Sequence, residues 1–448
     1  MELKPHQLKD LEFHLSRDRS LNLSECSTGK TPTMCRVMLM RYLMNGCKTV
    51  WIMPSGLMKK NKIEAMKWCN WSENEIEIIK GDKKKRLELY KRKEVKCFII
   101  TGDTFGNEWK LILENEPEVN QVIIDESHQT IASHTSKRTQ SIYCASREIK
   151  YWLFCTATII SGRFSSAYPA IAICEPRFYM NYQNFLNYHA VYGPMNRIVA
   201  WGRAEKLTNV LKKLGVRHTI KECYPDNPPF IYQFEIAEID ENLKSNYIQL
   251  EKESLLELRD EYVELGNPAV KAMKARVLLS APETLDLELQ PRENGKDNLL
   301  KVHLENAKIE GSRLLIFSCF VAEQERVKKI CDEMKIKAEI MNGNVSQTKR
   351  GEIAERFENN EFQVCIMSVA VGSCGYNFEF CKEVIWLSMD YQDSSFEQGN
   401  MRISRGTRKD PARVYILSYG TKLEKRILTI VKRKMKEKIE VFGLTDES

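Results

Sequence analysis

The chain has 448 residues, of which 43% are hydrophobic and 29% are charged, a balance typical of a folded globular protein. Its length allows two or three domains, each with a core of its own. Apolar runs stay shorter than the roughly 18 residues of a membrane-spanning helix, and the N-terminal segment lacks the apolar core of a secretion signal, so we expect a cytoplasmic protein without a membrane partner.

The formal net charge is +7, and basic residues cluster at 80–86, 91–93 and 422–438, which permits a polyanionic partner. None of the 14 cysteines belongs to a Cys-x-x-Cys pair, and several lie within apolar runs. We therefore interpret the cysteines as reduced, buried thiols, and we expect neither disulfides nor a zinc site.

The first half of the chain alternates short apolar strands with helical segments. We predict strands at 48–54, 96–102, 120–126 and 150–158, with helices at 57–69 and 137–147. Short buried strands separated by helices are typical of a parallel, doubly wound sheet.

The second half repeats this alternation after a different intervening stretch. Strands are predicted at 313–318, 337–343, 362–368, 383–388 and 412–418, with a helix at 321–334. Residues 225–311 contain one extended run and then a long charged helical stretch. The pattern predicts two similar α/β lobes.

The segment SECSTGKT (24–31) ends as a phosphate-binding loop does, with Gly29, Lys30 and Thr31. A glycine lets the backbone approach a phosphate, a lysine supplies charge for the β- and γ-phosphates, and a threonine offers its hydroxyl to Mg²⁺. Ser24 replaces the first glycine of the pattern Gly-x-x-x-x-Gly-Lys-[Ser/Thr], so the loop alone is an incomplete match.

Two carboxylates, Asp125 and Glu126, follow the predicted strand within VIIDESHQ. At a strand end beside a phosphate loop, such a pair can hold Mg²⁺ and accept a proton from an attacking water. An acidic turn is the alternative interpretation. The combination with the loop indicates a site for ATP or GTP.

Two further segments extend this interpretation. CTATI places the hydroxyls of Thr156 and Thr158 at the end of the next strand, and QGNMRISRG places Gln398, Arg402 and Arg405 at spacings of four and three. On a helix these three residues would lie close to one face. Arginines of one lobe that reach a γ-phosphate held by the other stabilise the transition state of phosphoryl transfer. A solvated basic helix is the alternative.

Taken in this order, the segments resemble a superfamily 2 helicase or translocase of the Swi/Snf-like branch. LKPHQLKDLEFHL (3–15) is similar to the family's opening motif, whose glutamine maps to Gln7, and DESH matches its Asp-Glu-x-His box. The phosphate loop keeps Glu25 but departs from the family at Ser24, Ser27 and Thr28.

The second lobe narrows the resemblance. SVAVGSCGYNF (368–378) is similar to a Swi/Snf-type pattern, and DYQDSSFEQGNMRISRG (390–406) keeps the family spacing with Tyr391 in place of Trp. MNGNVSQTKRGEIAERF (341–357) fits a family segment that ends at Arg350. Residues 211–229 resemble the linker, with one arginine of its pair replaced.

The resemblance implies an α/β fold of two tandem RecA-like domains, 1–226 and 227–448, the second with a helical insertion at about 240–310 and with ATP and Mg²⁺ bound between the domains. The implied catalytic residues are Lys30, Asp125, Glu126, Gln398, Arg402 and Arg405, and the metal ligands are Thr31 and Asp125. ATP binding is assigned to Gln7, Glu25, Cys26, Ser27, Thr28, Gly29, Lys30 and Thr31, and coupling to His128, Thr156, Thr158 and Gly372. DNA contacts are assigned to Pro54, Ser55, Thr101, Gly102, Ser318, Arg350 and Ser368.

Little of the chain remains outside the two lobes, as in compact phage-type branch-migration helicases. We therefore hypothesise a monomeric, ATP-dependent helicase or translocase that remodels or unwinds branched DNA in replication, recombination or repair. A duplex translocase that displaces bound proteins, an RNA-dependent ATPase and an adaptor with a decayed motor are the alternatives. We expect binding without sequence preference, because the implied contacts grip phosphates rather than bases.

Overall fold

A computed structural model of the chain describes residues 2–131, 133–160, 163–253, 255–258, 261–264, 268–285, 294–372, 376–404 and 408–442. These residues form two compact units. The first extends to Asp226 and includes the end of the last helix from Lys434, and the second comprises Asn227–Arg433. Crossing a membrane would need a longer and more apolar helix than any in the described ranges.

The described residues of the first unit form nine strands. They are β1 Arg19–Asn22, β2 Lys48–Ile52, β3 Ile76–Ile78, β4 Cys97–Ile100, β5 Val119–Asp125, β6 Tyr151–Cys155, β7 Ala190–Tyr192, β8 Ile198–Trp201 and β9 Gly215–Val216. Seven of them form a parallel sheet in the order β3-β4-β2-β5-β6-β1-β9, whereas β7 and β8 form a separate antiparallel hairpin.

The helices of the first unit flank its sheet on both faces. They are α1 Pro5–Leu15, α2 Lys30–Asn45, α3 Met58–Cys69, α4 Lys83–Tyr90, α5 Gly102–Asn115, α6 Ser127–Thr130, α7 Lys137–Glu148, α8 Tyr168–Cys174, α9 Tyr182–His189, α10 Ala204–Leu214 and α11 Ile220–Cys223. Successive residues of β5 point to opposite faces, so Val122 and Ile124 join one apolar core and Ile123 joins the other. Burial on both faces explains why such strands read as continuous apolar runs.

In the second unit, the part of the chain that the structure describes contains eight strands. They are β10 Ile231–Ile236, β11 Leu255–Leu258, β12 Glu261–Glu264, β13 Leu314–Ser318, β14 Ala338–Met341, β15 Val364–Ser368, β16 Glu383–Trp386 and β17 Arg413–Ser418. Six form a parallel sheet in the order β10-β17-β16-β13-β15-β14, and β11 pairs with β12. The helices are α12 Glu241–Glu253, α13 Pro268–Ser280, α14 Gly295–Glu310, α15 Val321–Glu333, α16 Gln347–Glu358, α17 Val369–Gly372, α18 Asp393–Asn400 and α19 Lys422–Phe442.

The predicted fold class, two parallel sheets flanked by helices, is confirmed. The stretch at about 240–310, predicted to be a helical insertion, differs from that prediction in two ways. It contains the β11–β12 hairpin, and α14 packs Leu300, Leu304 and Ala307 into the core of the second sheet. Its last helix is therefore part of the core of the second unit.

Candidate nucleotide-binding site

The loop between β1 and α2 surrounds the ammonium group of Lys30. Lys30 Nζ donates to the carbonyl oxygens of Ser24 (2.7 Å) and Glu25 (2.8 Å). Ser27 (φ 65°) and Gly29 (φ 90°) lie in the left-handed region, and left-handed residues within a tight turn are what shape an anion-binding nest of backbone N–H groups. With the N-terminus of α2 behind it, the loop suits a polyphosphate.

Gln7 of α1 lies against this loop. Its Nε2 donates to the carbonyl oxygen of Gly29 (3.0 Å), and its Oε1 accepts from the backbone N–H of Lys4 (2.8 Å). A Cβ on residue 29 would lie 2.3 Å from Gln7 Nε2, so glycine is needed for both its backbone angle and this close approach. The role of Gln7 in adenine recognition stays a prediction.

Glu25 connects the phosphate loop to the segment after β9. One carboxylate oxygen accepts from Arg217 Nη2 (3.1 Å), and the other accepts from the backbone N–H of Ile220 (2.9 Å). The backbone N–H of Glu25 also donates to the carbonyl oxygen of His218 (2.9 Å). In this structure the Glu25 carboxylate is thus used within the protein.

The other loop residues are close to this network. Thr28 is buried, and its hydroxyl donates to the carbonyl oxygen of Glu25 (2.8 Å). Cys26, Ser27 and Thr31 are each half-buried. Thr31 follows Lys30 in the first turn of α2, so its hydroxyl is on the helix end that the loop precedes.

The two acidic residues lie at the end of β5, at the same sheet edge as the phosphate loop. Burial raises the pKa of Asp125 to about 7, and the adjacent Glu126 carboxylate adds to the rise while Lys30 opposes it. Asn61 of α3 donates from Nδ2 to Asp125 Oδ2 (3.2 Å). Glu126 has a left-handed backbone (φ 48°), which turns the chain sharply after the strand.

The ends of β5 and β6 are joined by the predicted coupling residues. His128 Nδ1 and the Thr156 hydroxyl share a hydrogen bond of 2.9 Å, and Glu126 Oε2 lies 3.5 Å from His128 Nδ1. Thr156 Oγ1 also accepts from the backbone N–H of Thr158 (2.9 Å). Both threonines are buried. The structure therefore brings the acidic residues, the histidine and the two hydroxyls together.

The acidic pair fits a magnesium ion. Two adjacent carboxylates, one of them buried, repel each other, as the raised pKa of Asp125 reflects, and a divalent cation would relieve that repulsion. The described ranges contain no group of three or more His, Cys, Asp or Glu side chains arranged to hold a metal ion by themselves. Magnesium accepts such a sparse site, because it is commonly held by one or two carboxylates together with phosphate oxygens and water.

The nucleic-acid contacts predicted in the first unit follow β2 and β4 at the same edge. Ser55 is exposed, Pro54 and Thr101 are half-buried, and Gly102 is buried. A Cβ on Gly102 would lie 2.8 Å from the methyl group of Thr130, so the start of α5 packs directly on the segment after the acidic box.

Arg138 of α7, which the sequence analysis missed, fastens these two segments together. Its guanidinium donates to the carbonyl oxygens of Gln129 and Thr130 (both 2.7 Å) and to Asp103 Oδ1 (2.9 Å). It therefore ties the acidic box to the start of α5, where Thr101 and Gly102 lie.

In the second unit, Ser318 and Ser368 end adjacent strands. The Ser318 hydroxyl is fully buried and donates to Glu323 Oε2 (2.6 Å), which also accepts from Ser388. Burial raises the pKa of Glu323, against the opposing effects of Lys296 and Arg326. The Ser318 hydroxyl is thus used inside the unit, while Ser368 is half-buried. The DNA contacts of both serines stay predictions.

The remaining second-unit residues need one correction. Gln398, Arg402 and Arg405 were predicted to share a helix face, but α18 ends at Asn400 and Arg402 lies in the following turn. Gly399 and Asn400 are poor helix formers, which explains the end. Arg405 lies outside the described residues.

Arg402 is buried and its Nε donates to the carbonyl oxygen of Gly372 (2.8 Å). Gln398 is also buried, and its Nε2 has no hydrogen-bond partner among the described residues. Gly372 ends α17 beside Phe317, whose ring would lie 2.7 Å from a Cβ at this position. Arg350 of α16 donates from Nε to the carbonyl oxygen of Val345 (2.9 Å). The structure thus joins Arg402 to Gly372 and leaves Arg350 apart.

Two known families match the chain. The family described as type III restriction enzyme, res subunit, matches residues 5–161, and the helicase conserved C-terminal domain matches residues 295–407. The first range contains the phosphate loop, the acidic pair and the two threonines, and the second contains Gln398 and Arg402. Together the two matches support the resemblance to superfamily 2 helicases.

Similar proteins narrow this class. An uncharacterized ATP-dependent helicase of Mycoplasma pneumoniae is 23% identical over 91% of this chain and 38% of its own length. The DNA repair and recombination protein RAD54 of Saccharomyces cerevisiae is 25% identical over 41% of this chain and 19% of its own length. This chain thus spans well under half of either relative. These similarities support the resemblance to Swi/Snf-like helicases.

The Sulfolobus solfataricus SWI2/SNF2 ATPase core in complex with dsDNA aligns with 99% of this chain and 94% of that chain, at 20% identity and a TM-score of 0.44.

Proposed function

We propose that the protein is an ATP-dependent DNA helicase or translocase that remodels or unwinds branched DNA. The observation that carries the proposal is the convergence, at one edge of the first sheet, of the Lys30 loop, the Asp125–Glu126 pair and the His128–Thr156 hydrogen bond. A loop that binds polyphosphate, a base for water and a polar link to the next strand are the parts that phosphoryl transfer and its coupling require.

Each residue has a defined task in this proposal. The Lys30 ammonium exchanges the carbonyl oxygens of Ser24 and Glu25 for phosphate oxygens when the nucleotide binds. Thr31 and Asp125 would hold the cation, and Glu126 would orient the attacking water and accept its proton. When bound, Mg²⁺ neutralises charge that develops on the phosphates.

DNA as the partner has independent support. α4 begins with Lys83, Lys84 and Lys85, all exposed, although positive charge is unfavourable at a helix N-terminus. Their placement favours binding of a polyanion over helix stability. One of the relatives is named for DNA repair and recombination, which agrees with branched DNA as the substrate.

Hydrolysis and DNA binding are connected through short contacts in the first unit. His128 joins the acidic box to Thr156, and Arg138 joins the end of the same box to the segment that begins α5. A change at the γ-phosphate therefore reaches the predicted DNA-contacting edge through rigid hydrogen-bonded neighbours.

The test is strand separation and ATP hydrolysis on matched substrates. A fork, a four-way junction, a plain duplex and an RNA duplex of equal length are each mixed with the protein and Mg²⁺, with ATP or a non-hydrolysable analogue. The proposal predicts that the fork and the junction are unwound in the presence of ATP and are not unwound in the presence of the analogue.

Other outcomes have distinct meanings. Hydrolysis stimulated equally by plain duplex, without unwinding, would replace the proposal with a duplex translocase. Stimulation by RNA alone would replace it with an RNA-dependent ATPase. No hydrolysis on any substrate would mean that the motor is decayed.

A further inference from the structure

The hairpin of the first unit, Ala190–Trp201, is here termed the apolar hairpin, and the nucleotide site makes no use of it. Val191 is 46% exposed, Met195 80% and Val199 61%. β7 and β8 pair with each other and stand apart from the parallel sheet. A two-stranded hairpin that buries little is only marginally stable in water, and several exposed apolar side chains on one short element make it a candidate interaction site.

The base of the hairpin is held firmly by the unit. The Trp201 ring stacks on Phe164 with centroids 5.7 Å apart. His189 is buried between the Tyr179 hydroxyl (2.7 Å) and the carbonyl oxygen of Gly202 (3.0 Å). The base of the hairpin is therefore fixed by packing and hydrogen bonds, so the exposed strands keep a defined position when they contact a partner.

The tip carries an apolar side chain at a backbone cost. Met195 and Asn196 both have φ of 56°, in the left-handed region that asparagine tolerates and methionine rarely adopts. The turn is closed by a hydrogen bond from the N–H of Gly193 to the carbonyl oxygen of Arg197 (2.8 Å). A methionine that is 80% exposed in this strained position buries little apolar surface, so we look for its role in what it contacts.

The charge around the hairpin identifies the partner. From Pro176 to Ala204 the sequence contains no Asp or Glu, while Arg197 and Arg203 are positive. Arg177 is paired with Glu175, with Nε 2.8 Å from Oε1, and so adds little charge to this surface. Arg203 also lies over the Tyr188 ring, 4.5 Å from its centroid. A partner that is both anionic and apolar fits this surface, and nucleic acid with accessible base faces has both properties.

The hairpin's apolar tip selects a form of DNA. The faces of stacked bases inside a duplex are hidden, and they become accessible where strands part. Apolar side chains wedged at such steps are a known means of unstacking bases.

We propose that the apolar hairpin binds DNA at the junction between paired and unpaired strands, with Met195 and Val199 against base faces and Arg197 near a phosphate. This inference rests on the proposed function and deepens it, since it assigns the preference for branched DNA to one element.

The test compares two double variants at equally exposed apolar positions. Met195→Ser with Val199→Ser removes the apolar tip, and Ile63→Ser with Ile309→Ser is the control, because these side chains are 64% and 78% exposed and lie far from the hairpin in sequence. Binding to a fork and to a plain duplex of the same length is measured without nucleotide by fluorescence anisotropy at one salt concentration. A 2-aminopurine at the branch reports unstacking.

The hairpin variant is expected to lose about tenfold in affinity for the fork and less than twofold for the duplex. The rise in 2-aminopurine emission that the wild type causes should also be absent in this variant. The control is expected to match the wild type. Equal losses of affinity for both DNAs, or no loss for either, would overturn the proposal. It would also be overturned if sedimentation showed that the wild type forms a dimer and the hairpin variant does not.

Failure of the hairpin and failure of the motor are distinguishable. If the wild type hydrolyses no ATP but prefers the fork through the hairpin, the proposed function falls and the hairpin proposal stands. If the hairpin variant and the control variant both hydrolyse ATP and unwind DNA normally, the hairpin proposal falls and the proposed function stands.

Discussion

The carboxyl edges of the two sheets are built differently. At the first edge, the Lys30 loop follows one strand and the Asp125–Glu126 pair ends another, and among the described residues the Lys30 ammonium donates to backbone carbonyl oxygens. At the second edge, the polar groups satisfy one another: Ser318 and Ser388 donate to the buried Glu323. The difference indicates that the first edge is arranged for a ligand and the second for its own stability. Substitutions at the first edge should therefore cost activity, and at the second they should cost folding.

The largest expected effect is on hydrolysis. Glu126→Gln keeps the shape of the side chain but removes the base, so the rate of ATP hydrolysis should fall at least about 100-fold. Binding of a fluorescent ATP analogue should change less than about threefold, because Lys30 and Gly29 remain in place. The control is Glu114→Gln, at an exposed position of α5. A variant that hydrolyses ATP normally would remove Glu126 from the mechanism.

At the second edge, Glu323→Ala should destabilise the protein by about 2–4 kcal/mol, since it removes a buried carboxylate that accepts from the buried Ser318 hydroxyl and the half-buried Ser388 hydroxyl. Urea unfolding measures this loss, and Glu333→Ala, exposed on the same helix, should cost less than about 0.5 kcal/mol. If Glu323→Ala were as stable as the wild type, the contrast between the two edges would be lost.

A smaller effect concerns how the stability of the protein depends on pH through His14 of α1. Burial lowers the pKa of His14 to about 3, with help from Arg41 and Arg17, so the folded protein holds this histidine neutral. The unfolded chain takes up a proton below about pH 6.5, and stability from this group is therefore present above that pH and lost as the pH falls towards 3. Between pH 7 and pH 5 the loss should be about 2 kcal/mol.

His14→Gln should remove that part of the pH dependence. The free energy of unfolding of the variant and of the wild type is measured at pH 7 and at pH 5, and the difference between the two proteins should be smaller at pH 5. An unchanged difference would mean that His14 titrates normally.

The smallest effect concerns the link between the first edge and DNA. Arg138→Ala should lower the ratio of DNA-stimulated to DNA-free hydrolysis about tenfold, because its three hydrogen bonds position the segment before α5. Arg138→Lys should recover part of the ratio, and Arg147→Ala, exposed on the same helix, should not change it. Equal ratios in all variants would show that the coupling does not pass through Arg138.

The sequence predicted the fold well where strands are buried on both faces. β2, β4, β5 and β6 read as apolar runs, whereas β1, with the sequence RSLN, was missed because Leu21 is its one apolar residue. Gly399 and Asn400 indicate the end of α18, whereas the spacing of Gln398, Arg402 and Arg405 led us to predict a helix that continues past them.

The nucleotide loop could be predicted because its chemistry is contiguous in sequence. Asn61, Arg138 and Glu323 were missed because each acts through partners on distant segments. Asn61 had one local signal, since it is a polar residue on the buried face of α3 beside Met58 and Ala65.

Hydrolysis of ATP by the wild type and by Lys30→Ala, each with and without forked DNA, tests the central claim most directly. The account predicts hydrolysis that forked DNA stimulates in the wild type, and a loss of at least about 100-fold in the variant, whose folding should be unchanged. Hydrolysis that survives in Lys30→Ala, or a wild type that DNA does not stimulate, would contradict it.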